Sequence, residues 1–330
     1  MFYGDMKVIV IGGGLAGLRM AKKLKAKLIT THELFVFLPR LPDALRLGEE
    51  HATRLIKRSH NDVVFGSVTR VDMQHKKVYV GSKSFSYDYL VLATGATSVL
   101  PVPGAKEYAI PFYSIDDLRR VKKRLPAKQI VVVGGGPTGV EVAAELSEHG
   151  KVTILESGSD ILSMFPVRAR KYARKELARL GVAIRVGESV SRISARSVVT
   201  ASDSLAYDIC VWCAGVRTDI PSGVPKNKGV LVDEYLRLQG QTHVFAAGDC
   251  AQSGTPLTAQ AAVQEADLVV ANIRRTQQSR PLKKLSYKHK GDMLSLGSRA
   301  LVMPSFGFML RGWLASQVRK AYYWWQLRSY

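Results

Sequence analysis

Cysteine is rare in this sequence, which has only three among its 330 residues. So few cysteines exclude a disulfide-stabilised scaffold and favour a reducing cytoplasm. Cys210 and Cys213 form a C-x-x-C pair inside an expected strand, where their odd spacing turns the two thiols to opposite faces. We therefore interpret these residues and Cys250 as core residues. The seven histidines have no metal-ligand spacing, so no metal site is predicted.

Long apolar runs are also missing. No stretch reaches the roughly 18 apolar residues that a membrane-spanning helix needs. The apolar run nearest the N-terminus, "VIVIG", belongs to a glycine turn, so we predict no signal peptide. These absences predict a protein that is soluble or lies on the cytoplasmic face of the cell membrane.

Acidic residues are few, since 27 Asp and Glu stand against 48 Lys and Arg, a net charge of +21. The imbalance is concentrated from Asn272 onward, where twelve Lys or Arg accompany a single acid, Asp292. Such a tail attracts anionic lipid headgroups, nucleic-acid phosphates or an acidic protein. A merely solvated basic surface is the simpler alternative, and no specific nucleic-acid binding is expected.

Two glycine turns are the strongest positive signal in the sequence. They occur in "KVIVIGGGLAGLRMAKKL" (7–24) and "QIVVVGGGPTGVEVAAEL" (129–146), each between a β-branched run and a run of helix-forming residues. The G-x-G-x-x-G spacing permits a tight turn, close approach of a pyrophosphate and close packing of helix on strand. Two dinucleotide pockets are therefore predicted, built on Gly12, Gly14 and Gly17 and on Gly134, Gly136 and Gly139.

The acid expected about 20 residues after such a turn distinguishes the two copies. Glu156 ends the strand "KVTILES" after the second turn, where its carboxylate would bind a ribose 2′-hydroxyl and repel a 2′-phosphate. This favours NAD(H) over NADP(H). After the first turn, Thr30 or Thr31 occupies the usual place, and Glu33 is the nearest carboxylate candidate.

Similar strands recur after each glycine turn, in "YDYLVLATGAT" (87–97) and "YDICVWCAGV" (207–216), and a third strand ends at "HVFAAGDCA" (243–251). This duplication predicts an α/β fold with two Rossmann-like dinucleotide-binding domains, one inserted in the other. The expected ranges are 1–105 with 236–300 for the first domain, 106–235 for the second, and 301–330 for a C-terminal amphipathic helical segment.

The motifs resemble those of the two-dinucleotide flavoproteins that include glutathione reductase, and within them the type II NADH dehydrogenases. Besides the glycine turns, the resemblance is carried by "FLPRLPDALRLG" (37–48), "AAGDCA" (246–251), "TAQAAVQEA" (258–266) and "YKHKGDMLSLG" (287–297). It implies a glutathione-reductase-like fold in which hydride passes from NADH to bound FAD and electrons then pass to a membrane quinone. Because no cysteine precedes Cys210, the resemblance does not extend to the disulfide reductases.

The resemblance also implies roles for individual residues. Glu141 would lie near the nicotinamide, and Gln260 and Gln264 would position a quinone carbonyl. Glu265 stands where many relatives have another glutamine, so the quinone pocket is expected to differ there. The first pocket would bind FAD and the second NADH. The FAD site is expected to include Gly12, Gly14, Gly17, Glu33, Thr94, Gly95, Gly248, Asp249 and Ala259, and the NADH site Gly134, Gly136, Gly139 and Glu156.

The C-terminal segment 306–330 shows a helical period. Its apolar stripe consists of Leu310, Trp313, Leu314, Val318, Ala321, Trp324 and Trp325, with Arg311, Ser316, Arg319 and Lys320 opposite. An apolar face flanked by aromatic and basic residues is typical of a helix lying in the headgroup region of an anionic membrane. Burial of the same stripe in the protein or in a homodimer is the alternative.

Two other functions fit the same residues. One is a soluble NADH-dependent reductase of ferredoxin or rubredoxin whose basic tail docks an acidic carrier protein. The other is a non-enzymatic flavin- and NADH-binding protein with a basic interaction surface, similar to apoptosis-inducing-factor-like proteins.

Overall fold

The computed structural model describes residues 6–328 and residue 330. Within these residues the α-helices are α1 (Leu15–Leu24), α2 (Ala44–Leu47), α3 (Ala105–Tyr108), α4 (Ile115–Lys122), α5 (Pro137–Leu146), α6 (Val167–Arg179), α7 (Ala259–Gln277) and α8 (Gly312–Leu327). Short 3-10 helices span Leu38–Arg40, Glu49–His51 and Ile56–Arg58.

The strands of the first half are β1 (Val8–Ile11), β2 (Lys27–Thr30), β3 (Leu34–Val36), β4 (Thr53–Leu55), β5 (Val63–Phe65), β6 (Val68–Asp72), β7 (Lys77–Val80), β8 (Lys83–Ser86), β9 (Tyr89–Leu92), β10 (Ala96–Ser98), β11 (Ile110–Pro111), β12 (Gln129–Val133) and β13 (Lys151–Glu156). Those of the second half are β14 (Ala183–Val186), β15 (Val190–Ile193), β16 (Ser197–Thr200), β17 (Ser204–Ala206), β18 (Ile209–Trp212), β19 (Val216–Thr218), β20 (Lys226–Asn227), β21 (Gly229–Leu231), β22 (Val244–Ala246), β23 (Ala251–Gln252), β24 (Gly291–Leu296), β25 (Arg299–Pro304) and β26 (Leu310–Arg311).

Two five-stranded parallel sheets organise these elements. The first has the order β22-β9-β1-β2-β5 and the second β11-β18-β12-β13-β14, so the strands correspond one to one. Alternate residues of β1 point to opposite faces: Val8 and Val10 pack on helices α1 and α7, whereas Ile9 and Ile11 pack on the small sheet β6-β7-β8. The second sheet likewise has helices on one face and the small sheet β15-β16-β17 on the other.

The return strands β9 and β18 are anchored by the same device. The carboxylate of Asp88 accepts a hydrogen bond from the Lys7 N–H, and that of Asp208 accepts one from the Gln129 N–H, both at 2.8 Å. Each carboxylate thus ties the start of the return strand to the start of the neighbouring glycine-turn strand. The repeat is one of structure as well as of sequence.

Strand β22 completes the first sheet after the chain has formed the second one. The second unit is therefore inserted in the first, and the predicted fold class is confirmed. Strands β1 and β12 belong to different sheets. The two glycine turns that follow these strands therefore lie on separate units of one chain.

The expected domain boundary between residues 300 and 301 falls within β25, which pairs antiparallel with β24 on one side and β26 on the other. The apolar side chains of this three-stranded sheet, including Leu294, Leu296 and Leu301, share a core with Val140 and Leu177 of the second unit. Met293 of β24 packs instead against the core of the first unit. Residues 291–304 therefore contact both units.

Helix α8 spans both units. At its start, the Gly312 N–H donates to the Tyr172 hydroxyl on α6 at 2.9 Å. At its end, Tyr323 meets Phe37 edge to face, and Tyr330 stacks on Phe35 with ring centroids 4.7 Å apart. The helix thus lies against the inserted unit at one end and the first unit at the other.

The two predicted faces of this helix differ in burial. The predicted apolar stripe is exposed, with Trp313 67% and Trp325 63% accessible, so the protein itself does not bury it. On the predicted polar side, Ser316 and Arg319 are buried against the protein, where Arg319 pairs with carboxylates from two other segments. None of the helices among the described residues has the length and apolarity to cross a bilayer.

Candidate active site: two dinucleotide clefts

The first and third glycines of each turn are required by close backbone contacts. Gly12 has φ of +108°, and a Cβ built on it would lie 2.1 Å from the Ala93 carbonyl oxygen. A Cβ on Gly17 would lie 1.8 Å from the Gly12 oxygen, and one on Gly139 would lie 1.9 Å from the Gly134 oxygen. Gly134 repeats the conformation with φ of +107°. The two turns therefore share one tight backbone geometry.

The middle glycines leave room for a ligand. Gly14 and Gly136 are the N-caps of α1 and α5, neither of which has a side-chain cap. A Cβ on either residue would meet nothing within 4 Å. The unpaired N–H groups and positive dipole end of each helix thus face open space, an arrangement that suits a pyrophosphate. Both clefts fit a dinucleotide.

The strand-end residues distinguish the clefts. Glu156 lies across the second glycine turn, accepting from the N–H groups of Gly135 and Gly158, both at 2.6 Å. Because Ile29 pairs with Ile11 as Leu155 pairs with Val133, Thr30 occupies the equivalent place in the first cleft. The second cleft therefore has a carboxylate where the first has a hydroxyl.

Glu33 lies three residues beyond Thr30 and is exposed. Its main-chain carbonyl accepts a hydrogen bond from the Ile56 N–H at 2.9 Å. Register thus gives Thr30, and not Glu33, the position that corresponds to Glu156. The binding of a ribose by Glu33 stays a prediction.

Asp249 lines a cavity of about 470 Å³ together with residues from β19, β21 and the 251–257 segment. Its carboxylate accepts from the Tyr113 hydroxyl at 2.9 Å, and burial raises its pKa. Thr94 and Gly95 follow β9 directly, and the Thr94 nitrogen is 3.0 Å from a Cβ built on Gly12. These predicted residues thus border the first glycine turn and the adjoining cavity. No motif of the sequence indicates Tyr113 as a partner of Asp249.

Glu265 has a structural role that sequence reasoning missed. Its buried carboxylate accepts from the Gly248 N–H at 2.6 Å and from the hydroxyls of Ser253 and Thr255 at 2.5 and 2.7 Å. These bonds fasten the loop that carries Asp249 to helix α7. Gly248 itself lies between α1 and α7, with a built Cβ 3.5 Å from Ala16. Predicted Ala259 is the half-buried first residue of α7.

Gln260 and Gln264 are engaged with the main chain of the segment before β24. The Gln260 amide donates to the Gly291 carbonyl at 3.0 Å and accepts from the Lys290 N–H at 2.8 Å. The Gln264 amide pairs with both main-chain groups of Lys288 at 2.9 Å. The Gln260 amide nitrogen also lies 3.4 Å from His289 Nδ1, and that of Gln264 donates to the Gln260 carbonyl at 3.3 Å. The glutamines are thus held rigidly, and their contact with a quinone stays a prediction.

Glu141 is buried on helix α5, two residues after the last glycine of its turn. Its carboxylate accepts from the Ser295 N–H at 2.7 Å and from the Arg319 guanidinium at 3.2 Å. Burial, reinforced by the nearby Asp43 charge, raises the pKa of Glu141 to about 7, although Arg319 opposes the shift. A carboxyl group with this pKa can hold or release a proton near neutral pH.

Arg319 joins three parts of the chain. Its guanidinium donates to both oxygens of Asp43 at 2.8 and 2.9 Å, to the Pro39 carbonyl at 2.9 Å and to Glu141. Arg319 is only 2% exposed; burial lowers the pKa of its guanidinium, but the charges of Asp43 and Glu141 outweigh burial and raise that pKa above its ordinary value. A sequence signal existed: Ala315, Arg319, Tyr323 and Leu327 recur every four residues and form the buried ridge of α8.

The thiols carry no redox signature. Cys210 and Cys213 pack against different core clusters on the two faces of the second sheet, as their spacing predicts. Burial raises the pKa of Cys210 to about 12 and also that of Cys250, so both stay protonated at neutral pH.

Comparisons with known proteins agree with this geometry. The sequence model of the pyridine nucleotide-disulphide oxidoreductases matches residues 6–266. Demethylphylloquinone reductase NdbB of Synechocystis sp. is 30% identical, over 96% of this chain and 91% of its own length. A type II NADH:quinone oxidoreductase of Staphylococcus aureus is 27% identical, over 95% and 93%.

Among solved structures, NDH2 of Plasmodium falciparum, in complex with NADH, superimposes with a TM-score of 0.86. The match covers 97% of this chain and 94% of that one at 19% identity, which establishes a common fold. The fold that the sequence motifs predict is thus found in a protein with a distant sequence.

Proposed function

This chain belongs to the pyridine nucleotide-disulphide oxidoreductase family, and from that premise we propose that it is an NADH:quinone oxidoreductase. It transfers a hydride from NADH to bound FAD and then passes the electrons to a quinone of the membrane. The observation that carries the proposal is the pair of matching glycine turns, each facing an uncapped helix N-terminus. Similarity to named quinone reductases over nearly the whole chain supports the acceptor class.

In the first cleft, the N-terminus of α1 would hold the FAD pyrophosphate, and Asp249, Thr94 and Gly95 would bind other parts of the cofactor. In the second cleft, the N-terminus of α5 holds the NADH pyrophosphate, and Glu156 selects the unphosphorylated ribose by charge repulsion. Bound FAD supplies the hydride-accepting and electron-donating chemistry. The protein contributes the orientation of the two cofactors and the exclusion of water.

On the acceptor side, Gln260 and Gln264 contact a quinone carbonyl through amide N–H groups whose other partners, His289 Nδ1 and the Gln260 carbonyl, lie at 3.4 and 3.3 Å. On the donor side, Glu141 lies near the nicotinamide, and its pKa of about 7 allows the carboxyl group to change protonation state at physiological pH. Arg319 on α8 is a positioning residue: it donates a hydrogen bond to Glu141, and its charge lowers the pKa of that carboxyl group. Glu265 keeps the loop of Asp249 in place.

The exposed side of α8 supports a membrane attachment. Trp313, Leu314, Val318, Trp324 and Trp325 are each more than a third exposed although they are large and apolar. Such a stripe on one helix marks an interaction surface. In our proposal the enzyme lies on the cytoplasmic face of the membrane, where a lipid-soluble quinone can enter. A homodimer that covers the same stripe is the competing arrangement.

Steady-state NADH oxidation with different acceptors tests this function. We expect fast turnover with a short-chain quinone, little with ferredoxin or rubredoxin, and sedimentation of the protein with anionic vesicles. Preferential reduction of ferredoxin or rubredoxin without vesicle binding would instead identify a soluble carrier reductase. Negligible turnover of a yellow protein with every acceptor would identify a binding protein.

A further inference from the structure

Helix α6 is strongly basic for reasons that the two clefts do not explain. Six of its 13 residues are Lys or Arg, and its single acid, Glu176, is buried. Arg170 and Arg174 pair with Asp160, and Arg179 pairs with Glu176. These pairs account for half of the positive charges on the helix.

The other three charges form an exposed row. Arg168, Lys171 and Lys175 follow one another at intervals of three and four residues, so they share one face of the helix. In the part of the chain that the structure describes, no carboxylate lies within ion-pair distance of any of them. This face is therefore an uncompensated cationic strip.

The strip adjoins the start of α8. Tyr172, on the same face of α6, accepts a hydrogen bond from the Gly312 N–H, and the Arg311 guanidinium lies 5.9 Å from its ring centroid. The Arg168 guanidinium donates to the Gly307 carbonyl in the turn between β25 and β26. Helix α6, this turn and α8 thus form one continuous surface.

Large apolar side chains project from the same surface. In the β25–β26 turn, Phe306 is 79% exposed and Phe308 57%. Just before α6 and at its first residue, Met164 is 76% exposed and Val167 55%. This combination suits the surface of a bilayer. Exposed apolar side chains can reach the acyl chains, and the adjacent cationic strip can bind the anionic headgroups above them.

We propose that an anionic bilayer binds this whole surface, with the α6 strip contacting lipid headgroups and the β25–β26 turn inserting between them. This inference rests on the proposed membrane attachment and extends it from α8 to the inserted unit. The NADH-binding unit is thereby held to the membrane directly, at α6 as well as through α8.

Lysine footprinting of the wild-type protein tests the proposal. The full-length protein is acetylated in the presence of phosphatidylglycerol vesicles, phosphatidylcholine vesicles or duplex DNA, and each lysine is quantified by mass spectrometry. We expect phosphatidylglycerol vesicles to protect Lys171 and Lys175 severalfold, with little protection by the other two. The control is Lys77 and Lys83, exposed on the small sheet β6-β7-β8, which belongs to a different core cluster from α6.

Charge removal provides a second readout. Since a basic residue near an anionic bilayer contributes about 1 kcal/mol, each lost lysine should weaken vesicle partitioning roughly fivefold. We expect Lys171→Gln/Lys175→Gln to lower the partition coefficient about 25-fold, whereas Lys77→Gln/Lys83→Gln leaves it nearly unchanged. Thermal unfolding checks that both variants fold.

The outcomes separate this inference from the proposed function. Vesicle binding with Lys171 and Lys175 still reactive would overturn the α6 contact and leave attachment through α8 intact. Protection by DNA alone would overturn it in favour of nucleic acid. Failure of the wild type to bind vesicles would overturn both membrane contacts, while quinone turnover in solution would still uphold the redox reaction.

Discussion

The two glycine turns have nearly the same backbone conformation but different neighbouring side chains. Gly12 and Gly134 adopt φ of +108° and +107°, and the built Cβ atoms of Gly17 and Gly139 clash with the preceding turn at almost equal distances. Yet one strand ends in Thr30 and the other in Glu156. The backbone thus provides a pyrophosphate cradle twice, and side chains from outside the turn decide which nucleotide each cradle serves.

Helices α1 and α5 also differ in the residue that occupies an equivalent position. Two residues after the third glycine stand Arg19 on α1 and Glu141 on α5. Arg19 forms a part-exposed ion pair with Asp267 on α7 at 2.8 Å. Glu141 is buried and meets Arg319 of α8. Equivalent sites in a duplicated template have therefore acquired opposite charges and unequal dependence on the C-terminal helix.

The largest expected effect comes from removing the buried arginine. Arg319→Met leaves Asp43 and Glu141 as buried carboxylates without their shared cation, so we expect the free energy of unfolding to fall by about 3–5 kcal/mol. The matched variant Arg19→Met breaks a part-exposed pair and should cost about 1 kcal/mol or less. Denaturant titration of both variants measures the difference; equal losses would contradict the distinction between the two sites.

The next effect is a pH dependence that Glu141 confers. Its folded pKa of about 7 lies above its ordinary value of 4.5, so the folded state is penalised wherever this carboxyl is forced to ionise. The protein is fully free of that penalty below pH 4.5 and loses stability as the pH rises through 7, by about 3 kcal/mol.

Glu141→Gln should remove this decline. We therefore expect the difference in unfolding free energy between Glu141→Gln and the wild type to change by about 3 kcal/mol between pH 4.5 and 8, to the relative benefit of the variant at high pH. The unfolding free energy of Arg19→Met over the same pH range supplies a baseline. The guanidinium that this variant lacks stays charged at these pH values in the wild type, so its removal should have an effect that does not depend on pH. A pH-independent difference for Glu141→Gln would refute the raised pKa.

The middle glycines offer a matched test of the two cradles. Gly14→Ala and Gly136→Ala both place a methyl group in open space at negative φ, so the fold should tolerate them. We expect Gly14→Ala to lose bound flavin on purification. Gly136→Ala should stay yellow but lose about 100-fold in kcat/KM for NADH, roughly 3 kcal/mol. If each variant impaired both cofactors equally, the assignment of one cofactor to each turn would fail.

The smallest effect concerns nucleotide choice. Glu156→Gln removes the charge that repels a 2′-phosphate, so the ratio of kcat/KM for NADH over NADPH should fall about tenfold. Thr30→Val, at the equivalent position of the first cleft, should leave that ratio unchanged. The two ratios, measured with one quinone, show whether selectivity resides in the second cleft alone.

Local features of this protein could be predicted from its sequence. The glycine turns, the strands before them, the return strands and the position of Glu156 each depend on residues close together in the chain. The doubled architecture followed, because two copies of one pattern at this spacing are compatible with few topologies.

Long-range contacts could not be predicted in the same way. Arg319 of α8 is buried because Asp43 and Glu141, distant in sequence, both bind it. Likewise, β25 crosses the expected boundary at 300/301 because it pairs with a strand on each side. Gln260 and Gln264 are predicted to position a quinone carbonyl, but their hydrogen bonds to the main chain of 288–291 could not be predicted.

In the proposed reaction, one cleft binds FAD, the other binds NADH, and a quinone is the electron acceptor. Anaerobic mixing of the purified protein with a stoichiometric amount of NADH, followed by a short-chain quinone, measures all three at once by flavin absorbance. We expect the yellow colour to bleach with NADH and to return with the quinone. A colourless protein, or a flavin that NADH cannot bleach or quinone cannot restore, would contradict the claim.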